Sequence, residues 1–489
     1  MSTDGKILLA DYPKLPLPED RVNELIDDSH DYAHAHGLVF RTPEHKDKSD
    51  ICQSVPFALL PSPFPRVLFQ KAVDVQNLTA SLYHEIAYDY DFLIKAHELC
   101  IKTDPFTKNL IDILKKVKEE GLAQPVTLAI QRSDYMCHKD QFDSEYSLKQ
   151  IEVNNIASSM GAHAARVSSM HRRTMASLGY SKDFVDKSVP ENDPIDMIAE
   201  ALFMAWEYFK NPEAVVLVVI EETNQNQIDQ RHVEYALEKK GVPVDQIIRK
   251  TLKQFNSTLT LAEDKQLTYL GSKVAVVYFR SGYTPDQYPT QEDWDARLLI
   301  ERSTAIKAPW IGLQVANTKK TQQVLAEDGQ VERFIGSPRE AAQIRSTFAG
   351  IWSLDNNDPI TRKLVDGAIS HSSQFVLKPQ LEGGGGNFYG EAMANKLKTL
   401  EGEERGAFIL MERLNPIKVE NYLVRANKPT QLVKSVGELG IYGYAFGVRG
   451  SPVTKTSGHL LRTKGETVDE GGVAVGAAVI DSPFLYELL

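Results

Sequence analysis

The spacing of apolar residues predicts mainly helices at the start of the chain. A helix is predicted from about Glu19, where apolar residues recur every three or four positions. Two more are predicted over about 68–102 and 105–120. The proline-rich segment 55–69 precedes the second helix, and we expect a packed loop there because proline cannot donate a backbone hydrogen bond in a central strand.

Later apolar residues come in runs that are typical of strands. Two strands are predicted, over 126–135 and 148–154. Within 214–317, continuous apolar runs alternate with helical segments, which indicates a small parallel sheet covered on both faces. We interpret 214–317 as an inserted α/β subdomain and residues 1–213 and 318–489 as the main body, so the predicted fold class is α/β with α+β elements.

Composition narrows the class of protein. The chain has 489 residues, 42% apolar and 25% charged, as in a globular protein. A formal net charge of −11 argues against nucleic-acid binding, because no basic block offsets it. Three scattered cysteines, Cys52, Cys100 and Cys137, suggest a reducing compartment and neither a disulfide framework nor a zinc site.

The sequence carries no recognisable targeting signal. No apolar run reaches the length of a membrane span, and the first residues lack the basic and apolar regions of a secretory signal. A cytoplasmic location without membrane contact is therefore the default expectation. A signal removed before residue 1 would leave no trace.

The segment QIEVN is a candidate half of a metal site. On a regular strand Gln150, Glu152 and Asn154 would share one face, with Ile151 and Val153 turned to the core. A carboxylate and an amide oxygen on one face suit Mg²⁺, which prefers oxygen ligands. The alternative is the solvated face of an edge strand.

The segment LKPQLEGGGGNFYG is a candidate phosphate-binding flap. Lys378 and Glu382 precede four glycines, 383–386, and such a run is costly to order. A lysine, a carboxylate and free amides can hold nucleotide phosphates with their metal. The sequence matches neither a Walker A loop nor a GxGxxG turn, and a plain surface linker is the alternative.

Three later segments carry further candidates. Met411, at the end of the predicted strand AFILMER, could contact an adenine or simply belong to the core. Glu438 is a candidate for binding a ribose hydroxyl. Six basic residues are further candidates: Arg132, Arg280, Lys319, Lys378, Arg462 and Lys464. Gathered in one cleft they would suit a polyanionic ligand, although each alone could be an ordinary surface cation.

Together these segments resemble the eukaryotic glutathione synthetases. The resemblance covers nearly the whole chain and rests on ordered blocks: RSDYM, LKQIEVN, VVYFRSGY, WDARLLIERS, TKKTQQ, FVLKPQ with EGGG, ILMER, ELGIYG, HLLRTK and GGVAVG. It implies an ATP-grasp fold, a homodimer and Mg²⁺-dependent ligation of γ-glutamylcysteine to glycine at the expense of ATP. LEGGGGNFYG would be a glycine-rich lid and GGVAVG an alanine-rich lid.

The resemblance also implies roles for individual residues. Mg²⁺ would be bound by Glu152, Asn154 and Glu382. ATP would be bound by Lys319, Lys378, Glu382, Gly383, Gly384, Asn387, Tyr389, Met411, Glu412, Arg413, Leu414, Glu438, Lys464 and Glu470. The dipeptide and glycine would contact Arg132, Ala157, Ser158, Ser159, Asn224, Asn226, Gln230, Arg280, Tyr283, Arg462, Val473 and Ala474. Catalysis would depend most directly on Arg132, Glu152, Lys378 and Arg462.

The chain departs from the family pattern where the substrate would lie. Asn224 stands where the family has a glutamate for the γ-glutamyl ammonium, and Ala157 where it has a serine. Leu381, Gly386 and Ser281 replace an arginine, an asparagine and an aspartate. The expected function is a glutathione synthetase-like ligase that works through an acyl phosphate. The alternatives are a divergent ligase with another substrate and weak glutathione synthesis, or a non-catalytic nucleotide-binding relative.

Overall fold

The structure, a computed structural model, describes residues 6–140, 145–356, 358–380, 386–469, 471–474 and 476–488. Within these ranges the strands form three larger sheets, of seven, six and four strands, and two small ones of two strands each. None of the described helices is long and apolar enough to cross a membrane. All three cysteines are free, as expected.

The α-helices of the described residues are Glu19–Ala35 (α1), Arg66–Ala87 (α2), Tyr90–Ala96 (α3), Pro105–Glu120 (α4), Gly161–Ser177 (α5), Lys182–Ser188 (α6), Pro194–Tyr208 (α7), Gln227–Lys240 (α8), Leu252–Asn256 (α9), Gln291–Glu301 (α10), Ile311–Ala316 (α11), Lys319–Ala326 (α12), Gln330–Phe334 (α13), Pro338–Arg345 (α14), Pro359–Ser370 (α15) and Gly390–Thr399 (α16).

The strands are Val39–Arg41 (β1), Cys52–Ser54 (β2), Phe57–Ala58 (β3), Ser62–Pro65 (β4), Thr127–Lys139 (β5), Tyr146–Asn154 (β6), Val215–Val219 (β7), Ile247–Lys250 (β8), Leu259–Leu261 (β9), Leu267–Tyr269 (β10), Ser272–Phe279 (β11), Ile306–Ala308 (β12), Ile351–Ser353 (β13), Phe375–Pro379 (β14), Phe388–Tyr389 (β15), Phe408–Glu412 (β16), Lys418–Val424 (β17), Leu432–Val448 (β18), Ser451–Gly465 (β19), Val479–Asp481 (β20) and Pro483–Tyr486 (β21).

Local capping signals explain where the early helices begin and end. The carboxylate of Asp104 accepts from the backbone N–H of Phe106 and Thr107, and α4 ends at a glycine with a positive φ. The predicted helix 105–120 is thereby confirmed. The helix predicted over 68–102 is wrong in its length, because Asp89 caps a second helix, α3, and so divides the segment in two.

The seven-stranded sheet is buried on both faces. Its order is β17-β3-β20-β19-β18-β5-β6. Neighbouring residues of β5 belong to different apolar clusters, Leu128 to one and Ala129 to the other, because successive side chains of a strand point to opposite faces. Phe57 and Ala58 form a short strand inside this sheet, Ser62–Pro65 form β4, which pairs with β21, and α2 begins at Arg66. The packed loop predicted over 55–69 is therefore wrong at these residues.

The six-stranded sheet contains the predicted parallel strands. β8, β7, β11 and β12 run parallel, while β10 and β9 add an antiparallel extension. All five residues of β7 are buried, as expected for a strand covered on both faces. The four-stranded antiparallel sheet has the order β13-β16-β14-β15 and carries its own apolar cluster with α15 and α16. The division of the chain at 214 and 317 stays a prediction.

Candidate active site

A cavity of about 1570 Å³ is lined by residues in, or shortly after, strands of all three larger sheets. All the described residues that the sequence predicts for the site line this cavity. Four predicted site residues lie outside the described part of the chain: Glu382, Gly383, Gly384 and Glu470.

A buried ionic cluster occupies the centre of the cavity wall. Arg132 and Asp134 are two apart on β5, and the guanidinium donates to both carboxylate oxygens, at 2.6 and 2.8 Å. Arg462 of β19 donates to Asp134 Oδ2 at 3.1 Å and also to Glu438 of β18. Asn154 Nδ2 donates to the same Oδ2 at 3.0 Å. Four adjacent strands thus bring these side chains together.

The cluster fixes the charge of Asp134. Burial alone would raise the pKa of this carboxyl, but Arg132 and Arg462 lower the pKa below its usual value. Gly440 lies opposite Asp134 in the sheet, and a Cβ there would be 2.6 Å from Asp134 Oδ1. A glycine is therefore required for the close approach of the arginine–aspartate pair to the backbone of β18.

Three carboxylates of this wall could share a cation. Asp134, Glu152 and Glu438 each offer an oxygen, and these oxygens lie within 4.8 Å of one another. Asp134 and Glu438 are already engaged by arginines. Glu152 differs, since among the described residues its ionic contact is a long one, 4.0 Å from Arg462 Nη2. Glu152 is therefore the carboxylate of the three best placed to bind an added cation.

The predicted facing of QIEVN is correct for Glu152 but wrong for its two preceding residues. Tyr135 pairs with Gln150 and its neighbour Asp134 with Glu152, so β6 carries a bulge with Ile151 as the extra residue. As a result Gln150 is buried away from the cavity, whereas Ile151 lines it.

The four-stranded sheet supplies the predicted nucleotide end. Lys378 is buried on β14, and its Nζ donates to the carbonyl of Ile151 at 3.4 Å. The carboxylate of Glu412, at the end of β16, accepts from the backbone N–H of Gly350 at 3.0 Å and so connects β16 to the residue before β13. Met411 lines the cavity and belongs to an apolar cluster, which fits both interpretations of this residue.

Asp469 connects two segments at the edge of the cavity. Its carbonyl accepts from Lys464 Nζ at 2.5 Å and from Tyr389 Oη at 3.4 Å. Its carboxylate forms an ion pair of 2.9 Å with Arg413, whose guanidinium lies 5.5 Å from the centroid of the Tyr389 ring. The segment before Gly471 is thereby held against the segment that follows the glycine run.

The loop between β6 and α5 contacts two arginines that line the cavity, Arg132 and Arg280. Arg280 Nη1 donates to the carbonyl of Ser158 at 2.9 Å. The carbonyl of Ser159 accepts from Arg132 at 3.2 Å and from the Tyr442 hydroxyl at 2.6 Å. Backbone carbonyls thus help to fix two guanidinium groups whose charges are offset by Asp134, for Arg132, and by Asp229, for Arg280.

Asp229 positions the same loop. Its two carboxylate oxygens accept from the backbone N–H of Met160 and Ala162, both at 2.9 Å. Arg280 Nη2 lies 3.4 Å from Asp229 Oδ2. The carboxylate therefore connects the start of α5 to the arginine that follows β11.

Asn224 is engaged by its neighbours. Its Nδ2 donates to Glu221 Oε2 at 3.0 Å, and its Oδ1 accepts from the backbone N–H of Asn226 at 2.6 Å. Gln230 also lines the cavity, but its Oε1 accepts from Arg249 at 2.9 Å. The side chains of Asn224 and Gln230 thus have structural partners within the protein.

Comparison with known proteins decides the family. The family model described as "Eukaryotic glutathione synthase, ATP binding domain" matches residues 19–485. The chain belongs to this family. It is 39% identical to the human glutathione synthetase over 487 residues, covering 99% of this chain and 100% of that protein. It is 37% identical to the chloroplastic glutathione synthetase of Arabidopsis thaliana, covering 96% of this chain and 86% of that protein.

A solved structure is similar over nearly the same length. A glutathione synthetase-like effector from Globodera pallida, in its apo form, superposes with a TM-score of 0.77 at 29% identity and covers 97% of this chain and 99% of that one. Membership of the glutathione synthase family confirms the predicted resemblance, the mixed α/β fold and the predicted enzyme class, an ATP-dependent ligase.

Four acidic residues of the site are not predicted by the sequence patterns: Asp134, Glu221, Asp229 and Asp469. For Asp134 a signal is present, because residues 132 and 134 share a face of the predicted strand. Glu221 and Asp469 lie in loops, whose geometry no periodic pattern predicts, and Asp229, in the first turn of α8, acquires its role from contacts with the start of α5 and with Arg280. Each of the four orients a cation, an amide or a loop of the glutathione synthase fold.

Replacing Ala157 with valine should destabilise the loop that holds the arginines. Ala157 has φ = 51°, a left-handed conformation that a β-branched residue rarely adopts, and strain of this kind costs about 1–3 kcal/mol. We expect A157V to lower the apparent Tm and to raise a KM of the ATP-dependent ligation. A157G, whose backbone tolerates this φ, is the matched control and should not lower Tm more than A157V.

Proposed function

We propose that the chain joins the C-terminal carboxylate of γ-glutamylcysteine, or a related γ-glutamyl dipeptide, to glycine with hydrolysis of ATP to ADP and phosphate. One observation carries the proposal: a single cavity combines Glu152 and Asn154 with three buried lysines and with arginines. The lysines are Lys319, Lys378 and Lys464, and the arginines include Arg132 and Arg280. Carboxylate and amide oxygens suit a metal, lysines suit phosphates, and arginines suit the carboxylates of a peptide.

The donor set fits Mg²⁺. Asn154 uses its amide nitrogen on Asp134, which leaves its Oδ1 beside Glu152 as a ligand. Glu152 and Asn154 would hold the ion, with Glu382 from outside the described residues as the third predicted ligand. Bound there, Mg²⁺ would act as a Lewis acid that offsets charge on the phosphates.

The protein's own groups would organise two successive transfers. Arg132 and Arg280 would hold the peptide so that an oxygen of its C-terminal carboxylate takes the terminal phosphoryl group of ATP, releasing ADP and giving an acyl phosphate. The ammonium of glycine first loses a proton to solvent, and the resulting amine forms a bond to the carbonyl carbon. Phosphate then leaves, and the nitrogen releases a second proton to solvent as the amide forms. Lys378 and Arg462 would stabilise the negative charge on the transferred group.

Product analysis tests the proposal. The purified protein would be incubated with Mg-ATP, γ-glutamylcysteine and glycine, and the products identified by mass spectrometry. Equal amounts of glutathione and ADP are expected. Without glycine, no glutathione should form, and ADP should form only slowly, through hydrolysis of the acyl phosphate. If ADP forms only with another amine or carboxylate, that compound is the substrate in place of the proposed one. If no ADP forms with any substrate tested, the protein binds nucleotide without turnover.

A ligase with another substrate is the second candidate. Asn224 and Ala157 depart from the residues implied for the γ-glutamyl end, and both line the cavity. A loss of one charge-assisted hydrogen bond is worth about 1.5–3 kcal/mol. A panel of dipeptides and amines in the same assay separates the two candidates.

We also propose that the glycine-rich segment LEGGGGNFYG and the alanine-rich segment GGVAVG act as lids of an ATP-grasp site. The contact of Asp469 with Arg413 and Tyr389 supports this, because it joins the two segments at the cavity edge. Hydrogen exchange at 386–390 and 465–469 should slow when a non-hydrolysable ATP analogue and Mg²⁺ are added. Equal exchange with and without nucleotide would rule out closure.

Three properties remain proposals that follow from the family. They are an ATP-grasp body of residues 1–213 and 318–489 with 214–317 as an inserted substrate-binding subdomain, a homodimer, and a cytoplasmic location. Light scattering tests the homodimer directly, and a monomeric mass at micromolar concentration would remove it.

A further inference from the structure

A carboxylate that the sequence patterns do not single out lies at the peptide end of the cavity. Glu221 comes two residues after β7 and lines the cavity wall. β7 and β11 are parallel neighbours, so the loop that carries Glu221 and the loop that carries Arg280 and Tyr283 emerge at the same edge of the sheet. Ligands bind characteristically outside the carboxyl ends of such strands.

Both oxygens of Glu221 are held in place by neutral amides. Oε2 accepts from Asn224 Nδ2 at 3.0 Å, and Oε1 accepts from Gln287 Nε2. Gln287 is itself fixed, because its Oε1 accepts from the backbone N–H of Gly282 and Tyr283 at 2.7 and 2.9 Å. The carboxylate is therefore oriented before any ligand arrives.

The amides orient this charge but do not neutralise it. Among the described residues Glu221 has hydrogen bonds from these amides and no ion pair. Burial raises the pKa of the Glu221 carboxyl, which means that the anionic form is incompletely solvated. A cationic group of a ligand would supply the missing partner.

We propose that Glu221 is the specificity residue that binds the α-ammonium of the peptide substrate, with Asn224 and Gln287 as positioning residues. The inference rests on the proposed function and deepens it. The γ-glutamyl end of a peptide carries an ammonium and a carboxylate on one carbon, and Glu221 and Arg280 offer one partner for each. The carboxylate expected at position 224 is thus supplied three residues earlier, and Asn224 serves to orient it.

Binding measurements test this independently of turnover. Titration calorimetry, with Mg²⁺ and a non-hydrolysable ATP analogue present, would compare γ-glutamylcysteine with glutarylcysteine, which lacks only the ammonium. Wild-type protein should bind γ-glutamylcysteine about ten- to a hundredfold more tightly. E221Q should abolish the preference by weakening the binding of γ-glutamylcysteine alone. E222Q, which changes the exposed neighbouring carboxylate outside the cavity lining, should keep it.

A second variant distinguishes the loss of the Glu221 charge from general damage to the site. In E221Q/N224E a carboxylate returns three residues later, and we expect part of the preference to return. A wild-type protein that binds both compounds equally, or neither, would overturn the assignment, and so would an E221Q variant with the wild-type preference. If the preference is present but no glutathione is formed, the proposed function fails while the assignment of Glu221 stands.

Discussion

Replacing Glu152 with glutamine should lower kcat for ATP-dependent ligation by about a hundred- to a thousandfold, the effect typical of losing one electrostatic group that acts on the transition state. Glu152 lines the cavity, and its ionic contact among the described residues is a long one, 4.0 Å from Arg462 Nη2. The change therefore removes a charge from the site while leaving the packing almost untouched, and we expect Tm within a few degrees of the wild type.

The effect of E152Q should depend on the metal. If Glu152 binds Mg²⁺, the variant needs a higher Mg²⁺ concentration for half-maximal activity, whereas a purely structural role would leave that concentration unchanged. E420Q is a suitable control, since Glu420 is an exposed carboxylate on β17 outside the cavity. Wild-type kcat and Mg²⁺ dependence in E152Q would place the metal elsewhere.

Features with a local cause were predictable from the sequence. The start of α4 follows from Asp104 and Pro105, and its end from Gly121, all within one turn of the boundary. The buried strand Val215–Val219 likewise follows from its own apolar run. The candidate site came mainly from the resemblance, which assigns residues from distant segments of the chain to one site.

Features that depend on distant partners were not predictable. The bulge at Ile151 exists because β6 must pair with β5, and the alternation rule assumes regular pairing. The pairing of Asp134 with Arg132 follows from their shared strand face, but its contact with Arg462, 328 residues away, does not follow from any local pattern. The contact of Glu221 with Gln287, 66 residues away, does not either. Proline argued against a strand near residue 57, yet Phe57 and Ala58 fit between β17 and β20 because that short stretch has no proline of its own.

Replacing Asp134 with asparagine should destabilise the protein more than E152Q, A157V or E221Q does. The side chain is buried and accepts from Arg132, Arg462 and Asn154. Asparagine keeps the shape but removes the negative charge, which leaves the buried guanidinium of Arg132 and the partly buried guanidinium of Arg462 undercompensated. Breaking a buried ion pair in this way costs about 3–5 kcal/mol. D183N, which breaks the exposed pair of Asp183 with Lys187, is the control and should cost under about 1 kcal/mol.

The acid dependence of stability distinguishes this charge effect from a packing effect. The arginines hold the pKa of Asp134 below its usual value of 3.8, so its contribution is complete above about pH 4 and is lost as the pH falls through the lower, folded-state pKa. The difference in Tm between the wild type and D134N should therefore be constant near neutral pH and shrink on acidification below pH 4. Two results would contradict this prediction: a loss of Tm in D134N no larger than in D183N, or a loss that stays the same at every pH down to acid unfolding. Either would mean that the arginines find other partners when the aspartate charge is gone.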